Sequence, residues 1–267
     1  MIEDSFKDGE FLKVSIRVGF TKPGAGEHPL EPGLKLASEL GFDGIELCLE
    51  PKRWDVPSAW SEDLSRRDRA TIRKLAERYG LEIATLSSDW PGYYSSFCPR
   101  LRHWERGLEI LKSDIELAED LGAKAILVHF AGARGTLEQA KEMLSELAYE
   151  GERRDVRVGY ESGLWTRYLG TLEDLCRIVD EVGSKYLGVY LHNWWPRSGR
   201  PPHEEIELVG DRIVCLHSSE IDLENVDYRL MLTTLKKYYD WYWVFEVELK
   251  DAKKNLELWR RLMAEYW

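Results

Sequence analysis

Four short apolar segments in the second half of the chain each end in a glutamate or a histidine. The terminal residues are Glu161, His192, His217 and Glu246. Apolar side chains recur with period two before each of them, which is typical of a β-strand that packs one face against helices. In every segment the terminal residue falls on the face opposite the large apolar side chains. We therefore predict that all four side chains point to one side of a sheet, at the same end of its strands.

Two carboxylates and two imidazoles that meet at one place could hold one divalent metal ion. Such a mixed donor set suits Mn²⁺, Zn²⁺, Co²⁺ or Fe²⁺ better than Mg²⁺ or Ca²⁺, which prefer oxygen ligands. An ion there would polarise a carbonyl and an adjacent hydroxyl, as in an open sugar, and would stabilise an enediolate. Glu161 and Glu246 are then the candidates to take and return the proton. The alternative is a cluster of Glu–His hydrogen bonds that binds no metal.

Further residues are candidates for contact with a carbohydrate-like substrate. Two of them are acidic and lie at or just past a predicted strand end, one is a histidine near a strand end, and two are tryptophans in long loops, where they could stack on a sugar ring. These candidates are Glu46, Glu220, His129, Trp90 and Trp195. Glu46 and Glu220 could equally support the metal ligands. For the tryptophans the alternative is packing of the loops onto the rest of the fold.

Eight strand-like segments alternate with about eight helical ones, and these elements must position the candidate residues. The predicted strands are 14–19, 41–48 with its turn, 81–86, 123–130, 156–161, 187–192, 212–217 and 242–247. The predicted helices are 33–40, 61–79, 101–121, 136–153, 171–182, 204–209, 226–239 and 252–266. We expect a serine, Ser61, to cap the second helix. Alternation implies a parallel sheet, and eight units in roughly 250 residues predict a single α/β (β/α)8 TIM barrel. A doubly wound sheet in two domains is the alternative, although no GxGxxG or P-loop pattern supports it.

The bulk composition limits the classes of partner. We predict one domain over residues 1–267, in which 1–13 form a polar tail. The formal net charge of −11 argues against nucleic acid as a partner. The four cysteines are dispersed without a CxxC pair, which favours a reducing compartment. The N-terminal segment lacks an apolar signal core, and no apolar stretch is long enough to cross a membrane. We expect a soluble, cytoplasmic protein, and the sequence leaves homo-oligomerisation open.

Three motifs carry a resemblance to a known family. They are Gly-Phe-Asp-Gly-Ile-Glu at 41–46, Gly-Ala-Lys-Ala-Ile-Leu-Val-His at 122–129 and Thr-Leu-Glu-Asp-Leu at 171–175. In their order and spacing the chain resembles the xylose-isomerase-like TIM barrels, especially the sugar-phosphate isomerase/epimerase group, over nearly its whole length.

The resemblance implies one divalent ion held by residues at the ends of strands five to eight. The family places Glu, Asp, His and Glu there, and Glu161, His217 and Glu246 match. The aspartate does not, because the residue in phase is His192. Two substrate contacts of the family also differ, since Trp195 and Leu223 stand where a histidine and a basic residue are common.

The resemblance and the residues together indicate a divalent-metal-dependent isomerase or epimerase of a small sugar or polyol. Two alternatives stay open. The departures from the family pattern allow a non-catalytic barrel that binds a carbohydrate. A phosphodiesterase like the apurinic-site endonucleases shares the fold, but it needs several metal ions and more His and Asp ligands than six scattered histidines offer.

Overall fold

A closed barrel of eight parallel strands forms the centre of the molecule. The structure is a computed structural model, and it describes residues 11–49, 60–88, 101–128, 136–163, 170–193 and 199–267. The strands are β1 Lys13–Val18, β2 Gly44–Cys48, β3 Glu82–Ser88, β4 Ala125–Val128, β5 Arg157–Glu161, β6 Leu187–Asn193, β7 Ile213–Ser218 and β8 Tyr242–Phe245. Each strand pairs with the next, and β8 pairs with β1. The predicted TIM barrel is confirmed, because this last pairing closes the sheet and leaves no open edge.

Helices connect consecutive strands on the outside of the barrel. They are α1 Glu31–Leu40, α2 Arg66–Arg78, α3 Leu101–Leu121, α4 Leu137–Arg154, α5 Leu172–Val182, α6 Pro202–Val209, α7 Tyr228–Leu235 and α8 Ala252–Tyr266. Short 3-10 turns precede α2, β7 and α8, at Ser61–Asp63, Gly210–Arg212 and Leu249–Asp251. Of the helices in the described ranges, none combines the length and the apolar composition that crossing a membrane requires.

Alternate residues of the strands pack into two separate apolar layers. Val158, Val189 and Trp243 belong to the large layer between strands and helices. Tyr190 and Val244, which neighbour them in sequence, belong to a smaller cluster inside the barrel. This separation confirms the parity derived from the sequence. The terminal residues in phase with the inner cluster therefore lie inside the barrel, at the carboxyl ends of the strands.

The expected cap of the second helix is wrong. Ser65, not Ser61, caps α2, because the Ser65 side chain accepts from the Asp68 amide while the Asp68 carboxylate accepts from the Ser65 amide. Ser61 lies in the preceding 3-10 turn and is fully buried. Its hydroxyl donates to Asp114 Oδ1 at 2.5 Å. The Ser61 hydroxyl thus binds a buried carboxyl group on α3 instead of capping α2.

A glycine on β6 allows two neighbouring strands to approach closely. A Cβ on Gly188 would lie 2.3 Å from the carbonyl oxygen of Arg212 and 2.7 Å from Val214 Cγ2. Directly after it, the β6–β7 register shifts between Val189 and Tyr190. Such irregularities redirect side chains. Beyond the shift, the ends of β6 and β7 run side by side into the site.

Candidate metal centre

The four predicted ligands converge at the carboxyl ends of β5, β6, β7 and β8. Glu161, His192, His217 and Glu246 each offer one ligand atom, and these atoms lie within 4.8 Å of one another. His192 and His217 are register partners on β6 and β7. Glu246 follows β8 directly, and its amide donates to the Ser218 carbonyl at 2.8 Å. Glu161 and the two histidines are buried, whereas the Glu246 side chain is 33% exposed, so the cluster opens on its Glu246 side.

One nitrogen of His217 is held by a carboxylate, and the other points into the cluster. Nε2 lies 2.8 Å from Glu46 Oε1. Because an ionised carboxylate can only accept, Nε2 carries the proton. Nδ1 is buried, has no hydrogen-bond partner among the residues that the structure describes, and lies 3.9 Å from Glu246 Oε2. A carboxylate on one ring nitrogen and a metal ion on the other is the usual arrangement of a ligating histidine.

Glu46, which the sequence offered as a substrate contact or a supporting residue, is fully buried on β2. Its carboxylate accepts hydrogen bonds from Arg17 Nε at 2.9 Å, His217 Nε2 at 2.8 Å, Thr85 Oγ1 at 3.0 Å and Tyr190 OH at 2.5 Å. Burial by itself raises the pKa of Glu46, but the electrostatic interactions with His217 and Arg17 and the hydrogen bonds outweigh it and lower the pKa to about 2. Glu46 is therefore ionised at neutral pH, and both of its oxygens are engaged within the protein.

His192 is held by the glutamate of the neighbouring strand. Its Nδ1 and Glu161 Oε1 form a short hydrogen bond, and its amide donates to Ser162 Oγ at 3.0 Å. Its Nε2 lies 3.6 Å from Glu246 Oε2. Burial lowers the pKa of His192, and this effect exceeds the opposite effect of Glu161. The neutral imidazole is thus favoured, which is the form that binds metal ions.

Arg17 on β1 is a member of the site that sequence reasoning missed. Its Nη1 lies 2.5 Å from Glu246 Oε1, and its Nη2 lies 3.1 Å from Ser87 Oγ and 3.2 Å from His217 Nε2. The side chain is only 16% exposed. The signal was present, because the apolar residues on either side of Arg17 recur with period two and leave it on the inner face.

The donor atoms and the charges of the cluster fit a divalent cation. Glu46, Glu161 and Glu246 carry formal charges of −3 together, and Arg17 contributes +1, which leaves −2. A divalent ion would neutralise this charge. A separate observation also favours a cation. The Nδ1 atom of His217 is buried, points into the cluster and has no hydrogen-bond partner among the residues that the structure describes.

The other sequence-predicted substrate contacts are not brought into this cluster. His129, Trp90 and Trp195 lie outside the described residues. The Glu220 side chain is 61% exposed and forms an ion pair of 3.8 Å with Lys254. Contact of these residues with a substrate stays a prediction.

The chain is similar in sequence to several known proteins. The family model for the xylose isomerase-like TIM barrel matches residues 34–262. A 3-dehydroshikimate dehydratase from Pseudomonas aeruginosa is 26% identical over 202 residues, which are 73% of this chain and 29% of that protein. A fructoselysine 3-epimerase from Shigella flexneri is 25% identical over 173 residues, which are 63% of this chain and 51% of that protein. The chain thus spans about half or less of the length of these relatives.

A solved structure shows the same architecture over almost the whole chain. The crystal structure of a D-tagatose 3-epimerase-like protein superposes with a TM-score of 0.75 and covers 96% of this chain and 98% of its own. The sequence identity is 20%, so this likeness concerns the fold. The family model matches from α1 into α8, so the chain belongs to the xylose isomerase-like TIM barrel family.

Proposed function

We propose that the protein is a divalent-metal-dependent isomerase or epimerase of a small sugar or polyol. The observation that carries the proposal is the convergence of four ligand atoms within 4.8 Å at the carboxyl end of the barrel, where this fold keeps its active sites. The relatives named as a sugar epimerase and a dehydratase support it. Both types of reaction can begin with removal of a proton from a carbon next to a carbonyl group.

In this proposal Glu161, His192, His217 and Glu246 would hold the ion. When bound, it supplies Lewis-acid stabilisation of the negative charge that develops on the carbonyl oxygen of the substrate. Glu161 removes the proton, and the hydrogen bond to His192 orients its carboxylate. Return of a proton to the opposite face of the carbon, as epimerisation requires, would fall to Glu246. The burial of Glu161 and His192 keeps bulk water away from the proton in transit.

Metal content and solvent exchange test this function. The purified protein is incubated with Mn²⁺ or Zn²⁺, freed of excess ion and subjected to elemental analysis, and close to one ion per chain is expected. D-Tagatose, D-fructose and 3-dehydroshikimate are then incubated with the loaded protein in heavy water, and exchange of carbon-bound hydrogen is followed by NMR. We expect exchange in at least one of them.

Matched variants make the second measurement specific. Glu161→Gln and Glu246→Gln keep the shape of the side chain and should keep the fold while exchange is lost. Glu82→Gln is the control, since Glu82 lies at the amino end of β3, where it contacts Lys13 and Tyr242. A protein that retains neither ion contradicts the proposal. Retention of one ion without exchange in any compound would instead favour the non-catalytic, carbohydrate-binding barrel.

A further inference from the structure

The two oxygens of Glu246 have different surroundings. Oε1 accepts from Arg17 Nη1 at 2.5 Å. Oε2 lies on the side of the imidazoles, 3.6 Å from His192 Nε2 and 3.9 Å from His217 Nδ1. One oxygen therefore faces a guanidinium group, and the other faces the two candidate nitrogen ligands.

The guanidinium group of Arg17 is itself fixed in orientation. Its Nε donates to Glu46 on β2, and its Nη2 donates to Ser87 on β3, while Nη1 reaches Glu246 after β8. A planar guanidinium that is bound along three directions cannot turn without losing several charge-assisted hydrogen bonds. Glu246 is thus held at one oxygen by a group that the barrel wall keeps in place.

We infer that Arg17 is a positioning residue of the metal centre, which confines Glu246 to one metal-facing oxygen and, together with Glu46, Glu161 and Glu246, gives a combined formal charge of −2. The inference rests on the metal site of the proposed function and adds to it a residue that controls how the ion is bound. A glutamate whose second oxygen is engaged binds an ion through Oε2 alone. A bound ion would then keep a coordination position for substrate oxygens, and the negative charge around it would not exceed its own positive charge.

Removal of Arg17 has a predictable sign. In Arg17→Met the second oxygen of Glu246 becomes available to the ion, and the formal charge of the site changes from −2 to −3. Both changes strengthen the binding of a divalent cation. Because Coulomb attraction is strong at short range in a partly buried site, we expect the affinity to rise about tenfold or more. General damage to the site would weaken binding, so the direction of the change separates the two explanations.

The experiment measures Mn²⁺ affinity, from the electron paramagnetic resonance of free Mn²⁺, and the visible absorption of bound Co²⁺. Both are recorded for the parent chain, Arg17→Met and Arg17→Lys, with circular dichroism to verify folding. Arg17→Met should bind Mn²⁺ at least about tenfold more tightly. Its Co²⁺ bands should weaken, because these bands lose intensity as the coordination number rises. Arg17→Lys keeps the charge but lacks the guanidinium fork, so its Mn²⁺ affinity should stay within about threefold of the parent while the Co²⁺ spectrum changes.

Two controls complete the design. In the Glu246→Gln background, the spectral effect of Arg17→Met should disappear, since it acts through Glu246. Arg212→Met removes a surface arginine that pairs with Asp180, and it should change neither measurement.

The results of these measurements separate the role of Arg17 from the sugar-converting function. Weaker or unchanged Mn²⁺ binding in a folded Arg17→Met variant overturns the inference. If this variant does not fold, an unchanged Co²⁺ spectrum in Arg17→Lys overturns it. A parent chain that binds neither ion overturns both proposals. If the parent binds ions and the variants behave as expected, but no sugar exchanges its hydrogen, the sugar-converting function fails and the role of Arg17 stands.

Discussion

At the scale of single residues, His192 is where the chain departs from the ligand set that the family resemblance implies. An aspartate at this position would place a second carboxylate directly beside Glu161, and like charges at that distance disfavour ionisation. The imidazole avoids this repulsion, since its Nδ1 pairs with Glu161 Oε1. It is 1% exposed, and burial lowers its pKa, so a neutral nitrogen donor replaces an anionic oxygen donor. The site should therefore prefer softer divalent ions than the same set with an aspartate at this position would.

The metal preference of His192 variants tests this argument. We expect His192→Asp to retain an ion but to shift the preference from Zn²⁺ and Co²⁺ toward Mn²⁺ and Mg²⁺. His192→Ala should lose affinity about tenfold or more, which corresponds to about 1.4 kcal/mol. Competition titrations between pairs of ions measure both changes, with Asn193→Ala as the control. Parent-like affinities in His192→Ala, together with a loss in Asn193→Ala, would show that the parity assignment at the end of β6 is wrong.

Glu46 offers a second prediction at the same scale. Glu46→Gln keeps the size of the side chain but removes the negative charge that holds the Nε2 proton of His217. We expect Mn²⁺ affinity to fall about 10- to 100-fold, as for other carboxylates that orient a ligating histidine. Equilibrium dialysis measures the change, and Glu82→Gln at the other end of the barrel serves as the control. Equal losses in both variants would indicate a general effect of charge rather than the orientation of His217.

At the scale of elements, a buried carboxyl group joins α3 to two segments near the site. Asp114 on α3 is 1% exposed and accepts hydrogen bonds from Ser61 in the 3-10 turn before α2 and from Ser88 at the end of β3. Burial raises the pKa of Asp114 from 3.8 to about 6, although both hydroxyl groups act in the opposite direction. This contact fixes the end of β3, where the adjacent residue, Ser87, contacts Arg17.

The raised pKa of Asp114 gives a pH-dependent contribution to stability. The folded state holds this proton more tightly than the unfolded state, so the contribution is complete below about pH 4 and is lost as the pH rises through about 6. A shift from 3.8 to about 6 corresponds to about 3 kcal/mol. Asp114→Asn cannot ionise, so its free energy of unfolding relative to the parent should rise by up to this amount between about pH 4 and pH 7. Urea unfolding of both chains across this range measures it, and a difference that does not vary with pH would contradict the prediction.

At the scale of the whole molecule, the site depends on closure of the barrel. Its candidate ligands come from the last four strands, whereas Arg17 and Glu46 come from the first two. Arg17 and Glu246 are 229 positions apart in the sequence, and the β1–β8 pairing makes them neighbours. An ion bound at this place would join strands from one half of the chain to residues from the other. Metal binding should therefore stabilise the folded barrel as a whole.

Thermal unfolding in the presence of metal ions tests this coupling. An ion that binds only the folded chain stabilises it by about 2.7 kcal/mol at 100 times its dissociation constant. We expect the melting temperature to rise with Mn²⁺ concentration and to return to its starting value on addition of a chelator. Glu246→Gln should show a smaller rise at the same concentrations. A melting temperature that is independent of Mn²⁺ in the parent chain would contradict the prediction.

The sequence by itself determined the features that depend on local periodicity. Period-two alternation placed Glu161, His192, His217 and Glu246 on one face, and the strand order β1–β8 placed them at one end. The cap of α5 at Thr171 was also readable, since a capping residue and its partner, Asp174, are three positions apart. Only the tertiary structure decided the rest. Contacts of Arg17 and Glu46 with the cluster arise from barrel closure and from side chains that reach across strands, and no local pattern encodes these distances. The position of Ser61 was also decided by the tertiary structure. Its local sequence favours a helix cap, but its hydroxyl donates to a buried carboxyl group on another helix.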